Sequence, residues 1–444
     1  MARQIRERRL SPVELVEAHL GQIERQNPRL NAFIEVYRDE ARSTAREREG
    51  ESPRGPLHGV PITIKDSFDI AGKPTTGGST LRRAAVAVED AVSVARLKHA
   101  GAVILGKTNL PEFLLNYESD NHLIGRTSNP WNLERTAGGS SGGESAAISS
   151  FCSAGGIGSD AGGSIRVPAS FCGIAGLKPT PGRCPAYGHW PAISHPGGLL
   201  GVGGPLARSV RDVRVLFETL AGHDVRDPFS VPIELRPPSL ESLRLGVMDQ
   251  LNGVPLQPAL RAALDRAVTL LGELGYPAEP FESRQLAEAP ALWLFLFSEL
   301  SAQFVYESIR GVEDRVHWSG TDWIEPYRDQ PPPTSRRLCE VLARRDQLRA
   351  ETLLRFDRTP VIVVPCGNVV AWPHHTLRRP FDEMNTVTVW NLLGFPALVV
   401  PMGFDADGLP AGIQLVGAPY SEELLLELGV RLEQARGPLP PPGC

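Results

Sequence analysis

Residues 158–166 read Gly-Ser-Asp-Ala-Gly-Gly-Ser-Ile-Arg, so that Ser164 directly follows two residues without side chains. A backbone free of side chains can bring neighbouring N–H groups towards one point. Two further stretches accompany it: Gly-Gly-Ser-Ser-Gly-Gly at 138–143 and Pro-Ile-Thr-Ile-Lys-Asp at 61–66. The apolar run 60–64 predicts a buried strand that delivers Lys65 at its end. A lysine and several serines are therefore predicted where strands and tight turns end.

Helices and strands alternate along the chain, which predicts an α/β fold with a layered sheet. The first long helix is predicted to start after Ser11, because Pro12 suits the first helical position and Glu14 completes a capping box. Further strands are predicted at residues 102–105, 243–248, 361–365 and 397–401. Residues 138–204 are rich in glycine, serine and proline, which predicts tightly turned loops wrapped over a core.

The stretches 61–66, 138–143 and 158–166 together resemble the amidase signature family. The resemblance continues through residues 173–180 (GIAGLKPT), 204–208 (GPLAR) and 391–417. It implies a single α/β/α layered domain over residues 1–444, with a large mixed, mostly parallel β-sheet flanked by helices. It weakens over residues 225–380, which are predicted to form a variable substrate-specificity region within that domain.

The resemblance implies a hydrolase that cleaves carboxylic amides with Lys65, Ser140 and Ser164, without a cofactor or metal. Ser164 is the implied nucleophile, Ser140 relays its proton, and the Gly139–Ser140 peptide bond is implied to be cis. Lysine is an unusual base, because its ordinary pKa of about 10.4 leaves it protonated near neutral pH. Burial at the end of an apolar strand disfavours the charged form, so that a neutral Lys65 can accept the proton. The same machinery can cleave esters and carbamates (urethanes).

Residues around the nucleophile complete the implied site. The implied oxyanion hole, which stabilises charge developing on the substrate oxygen, consists of the backbone N–H groups of Ala161, Gly162, Gly163 and Ser164. Ser141 is predicted to support the site as a hydrogen-bond donor. Asp160 and Arg166 are predicted to form a structural pair that holds the loop, because buried charges need partners. Glu144 stands where many family members have a small residue, a difference that leaves the three catalytic positions untouched.

The composition excludes several classes of function. The formal net charge is −5, so the chain lacks the basic excess with which nucleic-acid-binding proteins neutralise phosphates. Its six cysteines contain no CxxC pair, which predicts a reducing compartment without disulfides or a zinc site. The start of the chain lacks an apolar signal core, and the longest apolar stretch, 291–297, is too short to span a bilayer. We expect a cytoplasmic monomer or homodimer that binds neither nucleic acid nor membrane.

The expected substrate is a small-molecule amide, ester or carbamate, and small aryl or acyl amides are favoured. The variable region supplies aromatic side chains, some of which are predicted to line an apolar pocket: Trp293, Phe295, Phe297, Trp318, Trp323 and Trp372. Such residues at helical spacing usually belong to a core, so both roles stay open. His374 and His375 lie in the same region and are interpreted as a pocket rim or a surface pair.

Two other functions stay open. One is the amidase (glutaminase) subunit of a tRNA-dependent amidotransferase, which needs a stable partner. The other is a nucleotide-binding protein, because Gly101–Thr108 (GAVILGKT) satisfies the phosphate-loop pattern. The interior of that segment is itself a predicted strand, which argues against a phosphate loop. Residues 139–143 also satisfy the nucleophile-elbow pattern G-x-S-x-G, but residues 129–136 before them do not resemble a buried strand.

Overall fold

The computed structural model describes residues 1–193 and 200–443; residues 194–199, part of the glycine-rich stretch 138–204, and Cys444 lie outside the described residues. The strands are β1 (Phe33–Val36), β2 (Pro61–Lys65), β3 (Val103–Thr108), β4 (Ser128–Asn129), β5 (Asn132–Thr136), β6 (Gly155–Asp160), β7 (Ala175–Lys178), β8 (Val202–Ala207), β9 (Leu245–Val247), β10 (Ala278–Pro280), β11 (Val361–Pro365), β12 (Ala397–Phe404) and β13 (Pro410–Gly417). The α-helices are α1 (Ala2–Arg6), α2 (Pro12–Leu30), α3 (Arg38–Gly50), α4 (Val92–His99), α5 (Gly142–Ser149), α6 (Arg166–Phe171), α7 (Val210–Leu220), α8 (Pro258–Glu273), α9 (Ala289–Leu294), α10 (Leu300–Ser308), α11 (Ser335–Phe356), α12 (Asn385–Leu393) and α13 (Glu422–Arg436).

Eleven strands form one sheet in the order β1-β3-β2-β6-β8-β7-β12-β13-β11-β9-β10, and β4 and β5 form a separate pair. This confirms the predicted α/β fold with a large mixed sheet flanked by helices. Parallel pairs occur in two groups, β3-β2-β6 and β11-β9-β10. The six remaining pairings are antiparallel and therefore outnumber the parallel pairs that were expected to predominate. Short connections such as the one between β12 and β13 permit only antiparallel pairing.

Helices cover both faces of the sheet, because alternate residues of its inner strands enter different cores. Val361 and Val363 of β11 pack into one core together with α4, α7, α8 and α13. Ile362 and Val364 enter the opposite core, which α6, α9, α11 and α12 complete. A smaller core joins α2, α3 and α5 to β3. Across the described parts of the chain, no helix combines the length and the apolar character needed to cross a bilayer.

Parts of the stretch 138–204 are regular structure, so the prediction of loops is wrong for those parts. It contains helices α5 and α6, together with β6, β7 and the start of β8, which are strands in the middle of the sheet. Glycine marks close packing at these positions. A Cβ on Gly156 would lie 2.4 Å from the carbonyl oxygen of Thr63, and one on Gly204 would lie 2.3 Å from that of Leu177. Local composition could not separate such strands from turns, because the neighbours that demand glycine are distant in sequence.

The alternation along β2 decides where Lys65 points. Ile62 and Ile64 belong to the core beneath α4 and α7. Thr63 and Lys65 must therefore project from the opposite face of the strand. That face carries α5, and Thr63 Oγ1 donates a hydrogen bond to the carboxylate of Glu144 there.

Candidate active site

Lys65 ends β2 inside the protein, where β2 lies between β3 and β6. Its side chain is fully buried, and its Nζ lies 2.7 Å from Oγ of Ser140 and 3.1 Å from Oγ of Ser159. Burial lowers the pKa of Lys65 to about 7, while the carboxylates of Asp160 and Glu144 oppose that effect. A substantial fraction of this amine is therefore neutral near pH 7.

Ser140 lies in the turn between β5 and α5, and the Gly139–Ser140 peptide bond is cis, at the position expected from the sequence. The following residue ties this turn to the loop 158–166. The backbone N–H of Ser141 donates to the carbonyl of Ser164 at 3.0 Å, and Ser141 Oγ donates to the carbonyl of Ser159 at 3.4 Å. The two glycine-rich stretches thus lie side by side, and Ser140 and Ser164 line the same cavity.

The loop 161–164 carries the N–H groups that were expected to bind the substrate oxygen. The Asp160 carboxylate accepts hydrogen bonds from the N–H of Gly163 at 2.7 Å and from that of Ile165 at 3.1 Å. The Gly163 N–H, which the resemblance places among the oxyanion donors, is therefore already bonded to an anion in this structure. The loop N–H groups that donate to no described acceptor are those of Ala161, Gly162 and Ser164.

Asp160 and Arg166 form the predicted pair beneath this loop. Both residues are buried, and the guanidinium contacts the carboxylate through Nε at 3.0 Å and Nη2 at 3.1 Å. Burial alone would raise the pKa of Asp160, but the Arg166 charge and its hydrogen bonds lower it strongly. Gln414 Oε1 accepts from Arg166 Nη1 at 2.8 Å, and Asn391 Nδ2 donates to Asp160 Oδ1 at 2.8 Å. Both charged groups therefore have hydrogen-bond partners in addition to each other, which fits a role in holding the loop.

Glu144 is buried on the first turn of α5, and its carboxylate accepts hydrogen bonds from Thr63 Oγ1 and, at 2.7 Å, from Thr108 Oγ1. Burial raises the pKa of Glu144 to about 7, while those two hydroxyl groups and Lys65 lower it. The buried carboxylate therefore belongs to the same electrostatic environment as the Lys65 amine.

The two serines open into a cavity of about 400 Å³. Its walls come from four parts of the chain: the residues around Phe113, those around Trp190, residues 200–202, and the segment from Leu296 to Ser308. Its apolar lining residues are Phe113, Leu114, Leu115, Trp190, Pro191, Ala192, Ile193, Leu200, Val202, Leu296, Phe297, Phe304 and Val305. Among the described lining residues, the titratable side chains are those of the buried Asp160 and of His189. The cavity therefore suits an uncharged, apolar group.

Of the six aromatic residues proposed as pocket lining, only Phe297 lines this cavity. Trp293 packs behind it, with ring centroids 4.5 Å apart and an interplanar angle of 15°. Trp323 meets both rings edge-on. The other three serve elsewhere: Phe295 is buried in the core, Trp318 lies against His375, and Trp372 Nε1 donates to Glu118.

His189 lines the cavity, and sequence reasoning missed it because no motif surrounds it. Its Nδ1 lies 2.7 Å from the carbonyl oxygen of Pro191. Burial lowers the pKa of His189 to about 3, so the imidazole is neutral wherever the protein is expected to work. Sequence reasoning missed Trp190 and Phe113 for the same reason. In the folded structure their ring centroids lie 5.9 Å apart.

The phosphate-loop hypothesis for Gly101–Thr108 is contradicted. Most of the segment is strand β3, and Lys107, the residue that would reach a phosphate, is buried. Its Nζ lies 2.9 Å from Asp66 Oδ1 and 2.6 Å from the carbonyl oxygen of Pro74. A lysine committed to a buried ion pair within a sheet offers no cradle for a nucleotide.

The nucleophile-elbow match at residues 139–143 and the histidine pair at 374–375 have the following outcomes. Residues 132–136 form strand β5, which is mostly not buried and belongs to the separate two-stranded sheet, in agreement with the expectation that no buried strand precedes the G-x-S-x-G match. Ser141, the central residue of the G-x-S-x-G match, is not among the described lining residues of the cavity, and its Oγ donates to the carbonyl oxygen of Ser159. His375 Nε2 lies 2.9 Å from Asp120 Oδ2, and His374 is largely buried beside Glu118. No group of three metal-ligating side chains with suitable geometry occurs within the described residues.

This fold and this site define an enzyme that hydrolyses carbon–nitrogen bonds outside peptides. The chain belongs to the amidase family, whose sequence profile, described as Amidase, matches residues 14–426. It is 34% identical over 462 residues to the A subunit of glutamyl-tRNA(Gln) amidotransferase from Symbiobacterium thermophilum, covering 94% of this chain and 92% of that protein.

Solved structures with the same fold include both kinds of enzyme considered above. A bacterial aryl acylamidase of the amidase signature family matches with a TM-score of 0.87 and 26% identity, over 98% of this chain and 95% of that one. The A subunit of glutamyl-tRNA(Gln) amidotransferase from Thermotoga maritima matches with a TM-score of 0.80 and 27% identity, over 98% of this chain and 96% of that one. At similar identity, the backbone is therefore more similar to the aryl acylamidase.

Proposed function

We propose that this amidase hydrolyses small, uncharged amides with an apolar acyl or aryl group, through an acyl-enzyme on Ser164. The observation that carries the proposal is the cavity, which joins Ser140 and Ser164 to walls that are mostly apolar. An apolar pocket with a few convergent polar groups is typical of a small-molecule site. The described lining offers no cation for a carboxylate, and Asp160 is already paired with Arg166.

The proposed chemistry follows from the contacts around Lys65. Ser164 Oγ forms a bond to the acyl carbon while its proton passes to Ser140 Oγ, whose own proton moves to the neutral amine of Lys65. The π electrons of the carbonyl move to its oxygen, where backbone N–H groups of the loop 161–164 stabilise the charge. The 2.7 Å contact between Lys65 and Ser140 supports this relay.

The expulsion of the amine runs the same relay in reverse. The C–N bond breaks, and the leaving amine takes the proton that Lys65 returns through Ser140. Water then loses a proton to Lys65 along the same route and attacks the acyl carbon. The bond between that carbon and Ser164 Oγ breaks, the acid leaves, and Lys65 returns the proton through Ser140 to Ser164 Oγ. Esters and carbamates can react through the same steps, and the carbamic acid released from a carbamate would then lose carbon dioxide. No resident cofactor or metal has a part in these steps.

The test is a hydrolysis screen over anilides, aliphatic amides, aryl esters and carbamates, with wild type and Ser164→Ala compared on every substrate. We expect turnover of uncharged apolar amides by the wild type and a fall of at least about 10³-fold in Ser164→Ala, with an unchanged melting temperature. A normal rate in that variant would refute the serine mechanism. A preference for charged amides would refute the proposed substrate class.

A second candidate is the glutaminase subunit of a tRNA-dependent amidotransferase, and the names of the curated relatives favour it over the first. Glutamine carries an ammonium and a carboxylate group, so this function requires that a partner or residues outside the described lining supply the countercharges. It predicts that the purified chain is nearly inactive on anilides and releases ammonia from glutamine only with partner subunits. Assaying both substrates, on the chain alone and after co-expression with candidate partners, separates the two.

A further inference from the structure

Two consecutive carbonyl groups of the loop 161–164 are held by aromatic side chains from elsewhere in the chain. Trp293 Nε1 donates to the carbonyl oxygen of Ala161 at 2.8 Å. Tyr117 Oη donates to the carbonyl oxygen of Gly162. Trp293 is fully buried and Tyr117 nearly so, which keeps water from competing for these carbonyls.

Fixing a carbonyl also fixes the N–H of the following residue, because a peptide unit is planar and its C=O and N–H point in opposite directions when trans. Holding the Gly162 carbonyl directs the N–H of Gly163 away from Tyr117, and that N–H is indeed bonded to Asp160 at 2.7 Å. By the same geometry, holding the Ala161 carbonyl directs the N–H of Gly162 away from Trp293. That N–H has no acceptor among the described residues.

The two donors support each other through ring contacts. Trp323 meets the ring of Tyr117 at 76° and the indole of Trp293 at 85°, each with centroids 5.8 Å apart. Phe297, which lines the cavity, stacks on Trp293 and also meets Trp323 edge-on. We call Tyr117, Trp293, Phe297 and Trp323 the aromatic clamp. Edge-to-face and offset-stacked pairs of this kind restrict rotation of each ring.

We propose that Trp293 and Tyr117 are positioning residues. They orient the Gly162 N–H so that it stabilises the negative charge that develops on the substrate carbonyl oxygen when Ser164 attacks. This inference rests on the proposed function, since it concerns the same site. When Ser164 Oγ bonds to the acyl carbon, the π electrons move to the carbonyl oxygen and the serine proton leaves through Ser140 to Lys65. A Gly162 N–H that is already oriented needs no reorganisation at that moment.

The test compares Trp293→Phe and Tyr117→Phe with Trp131→Phe. Trp131 is a matched control, because its Nε1 also donates to a backbone carbonyl, that of Cys172, at 2.9 Å, and it lies outside the active-site cavity. We expect Trp293→Phe to lower kcat by about 10- to 100-fold with KM unchanged within about threefold. Tyr117→Phe should have a smaller effect in the same direction, and Trp131→Phe none.

A transition-state readout separates positioning from a general structural role. A trifluoromethyl ketone analogue of the best amide substrate adds to the serine and forms the same oxyanion. Its inhibition constant should rise in Trp293→Phe by the same factor by which kcat/KM falls, while the melting temperature stays near that of the Trp131→Phe variant. Wild-type kcat and wild-type inhibitor affinity in both clamp variants would overturn the proposal.

Failure of this proposal is distinguishable from failure of the proposed function. If Ser164→Ala retains turnover, the serine mechanism fails whatever the clamp variants do. If Ser164→Ala is inactive while Trp293→Phe equals wild type, only the positioning role fails. If Trp293→Phe does not fold, Tyr117→Phe decides the question, because it removes a single oxygen atom and keeps the ring contact with Trp323.

Discussion

Lys65 Nζ lies 2.7 Å from Ser140 Oγ, although the two residues are 75 positions apart in the sequence. Because of this contact, the reaction rate should depend on whether the buried amine of Lys65 is protonated. Because burial lowers the pKa of Lys65 to about 7, the amine loses its proton as the pH rises through that value and becomes able to accept one from serine. We expect kcat/KM for an anilide to rise about tenfold per pH unit below about pH 7 and to level off above it. A rate that is flat or falling between about pH 6 and 8 would contradict this assignment.

Glu144→Gln should move that profile. The Glu144 carboxylate raises the pKa of Lys65, so replacing it by a neutral amide removes a charge that favours the ammonium form. We expect the midpoint of the pH–rate profile to shift to lower pH, so that more activity survives under mildly acidic conditions. Thr63→Val, which loses hydrogen bonds to the carboxylate and to Ser153 Oγ but removes no charge, should shift the midpoint less. An upward shift in Glu144→Gln would show that the carboxylate acts mainly through packing.

Lys107→Met should destabilise the protein, because it leaves the Asp66 carboxylate buried without its partner at 2.9 Å. Breaking one side of a buried pair typically costs about 3 to 5 kcal/mol in the free energy of unfolding. Urea denaturation of the single variant and of Asp66→Asn/Lys107→Met measures the effect, and the double variant should recover much of the loss. Added ATP should change neither curve. Equal stability of wild type and Lys107→Met would show that the pair contributes nothing.

Gly162→Ala should abolish most activity through a steric contact. A Cβ at this position would lie 2.4 Å from Cζ2 of Trp293, so the loop or the indole must move. Displacing the loop by even about 1 Å is enough to lower kcat by about 100-fold. Gly50→Ala is the control, since a Cβ there meets nothing within 4 Å. Wild-type kinetics in Gly162→Ala would mean that the loop tolerates a shift.

Phe304→Ser tests the apolar wall without touching the catalytic groups. Phe304 lines the cavity and is 55% exposed, which puts it at the mouth. Losing this apolar contact should raise KM for anilides by about 3- to 10-fold and leave kcat nearly unchanged. Leu354→Ser, at a position 79% exposed and outside the cavity, controls for a general loss of surface apolar area. Identical KM values in the two variants would place the substrate elsewhere.

The sequence predicted the parts of the site that lie inside short motifs. The strand before Lys65 was visible as an apolar run, and the paired loops around Ser140 and Ser164 were visible as glycine–serine stretches. These features are local, so composition and spacing suffice to find them. The commitment of the Gly163 N–H to Asp160 was not visible, because it depends on how the loop curls back over one particular carboxylate.

The cavity walls and the aromatic clamp could not be predicted for a different reason. Phe113, Trp190 and Phe304 come from three distant segments and meet only after the chain has folded. None lies in a periodic pattern that separates a pocket wall from an ordinary core position. Trp293 was singled out as a candidate lining residue, yet its hydrogen bond to the Ala161 carbonyl is a tertiary contact that residue type alone does not indicate.

The stack of Trp293 on Phe297 has a consequence for any attempt to change what this enzyme accepts. Phe297 lines the cavity and Trp293 holds the Ala161 carbonyl, so under the proposed mechanism enlarging the cavity at Phe297 should also loosen the loop that carries the proposed oxyanion donors. Engineering for bulkier compounds should therefore begin at Phe304, whose replacement leaves that stack intact. Evolution towards new substrates by substitutions at Phe297 would pass through variants with low catalytic rates. Evolution by substitutions at Phe304, at the mouth of the cavity, would not.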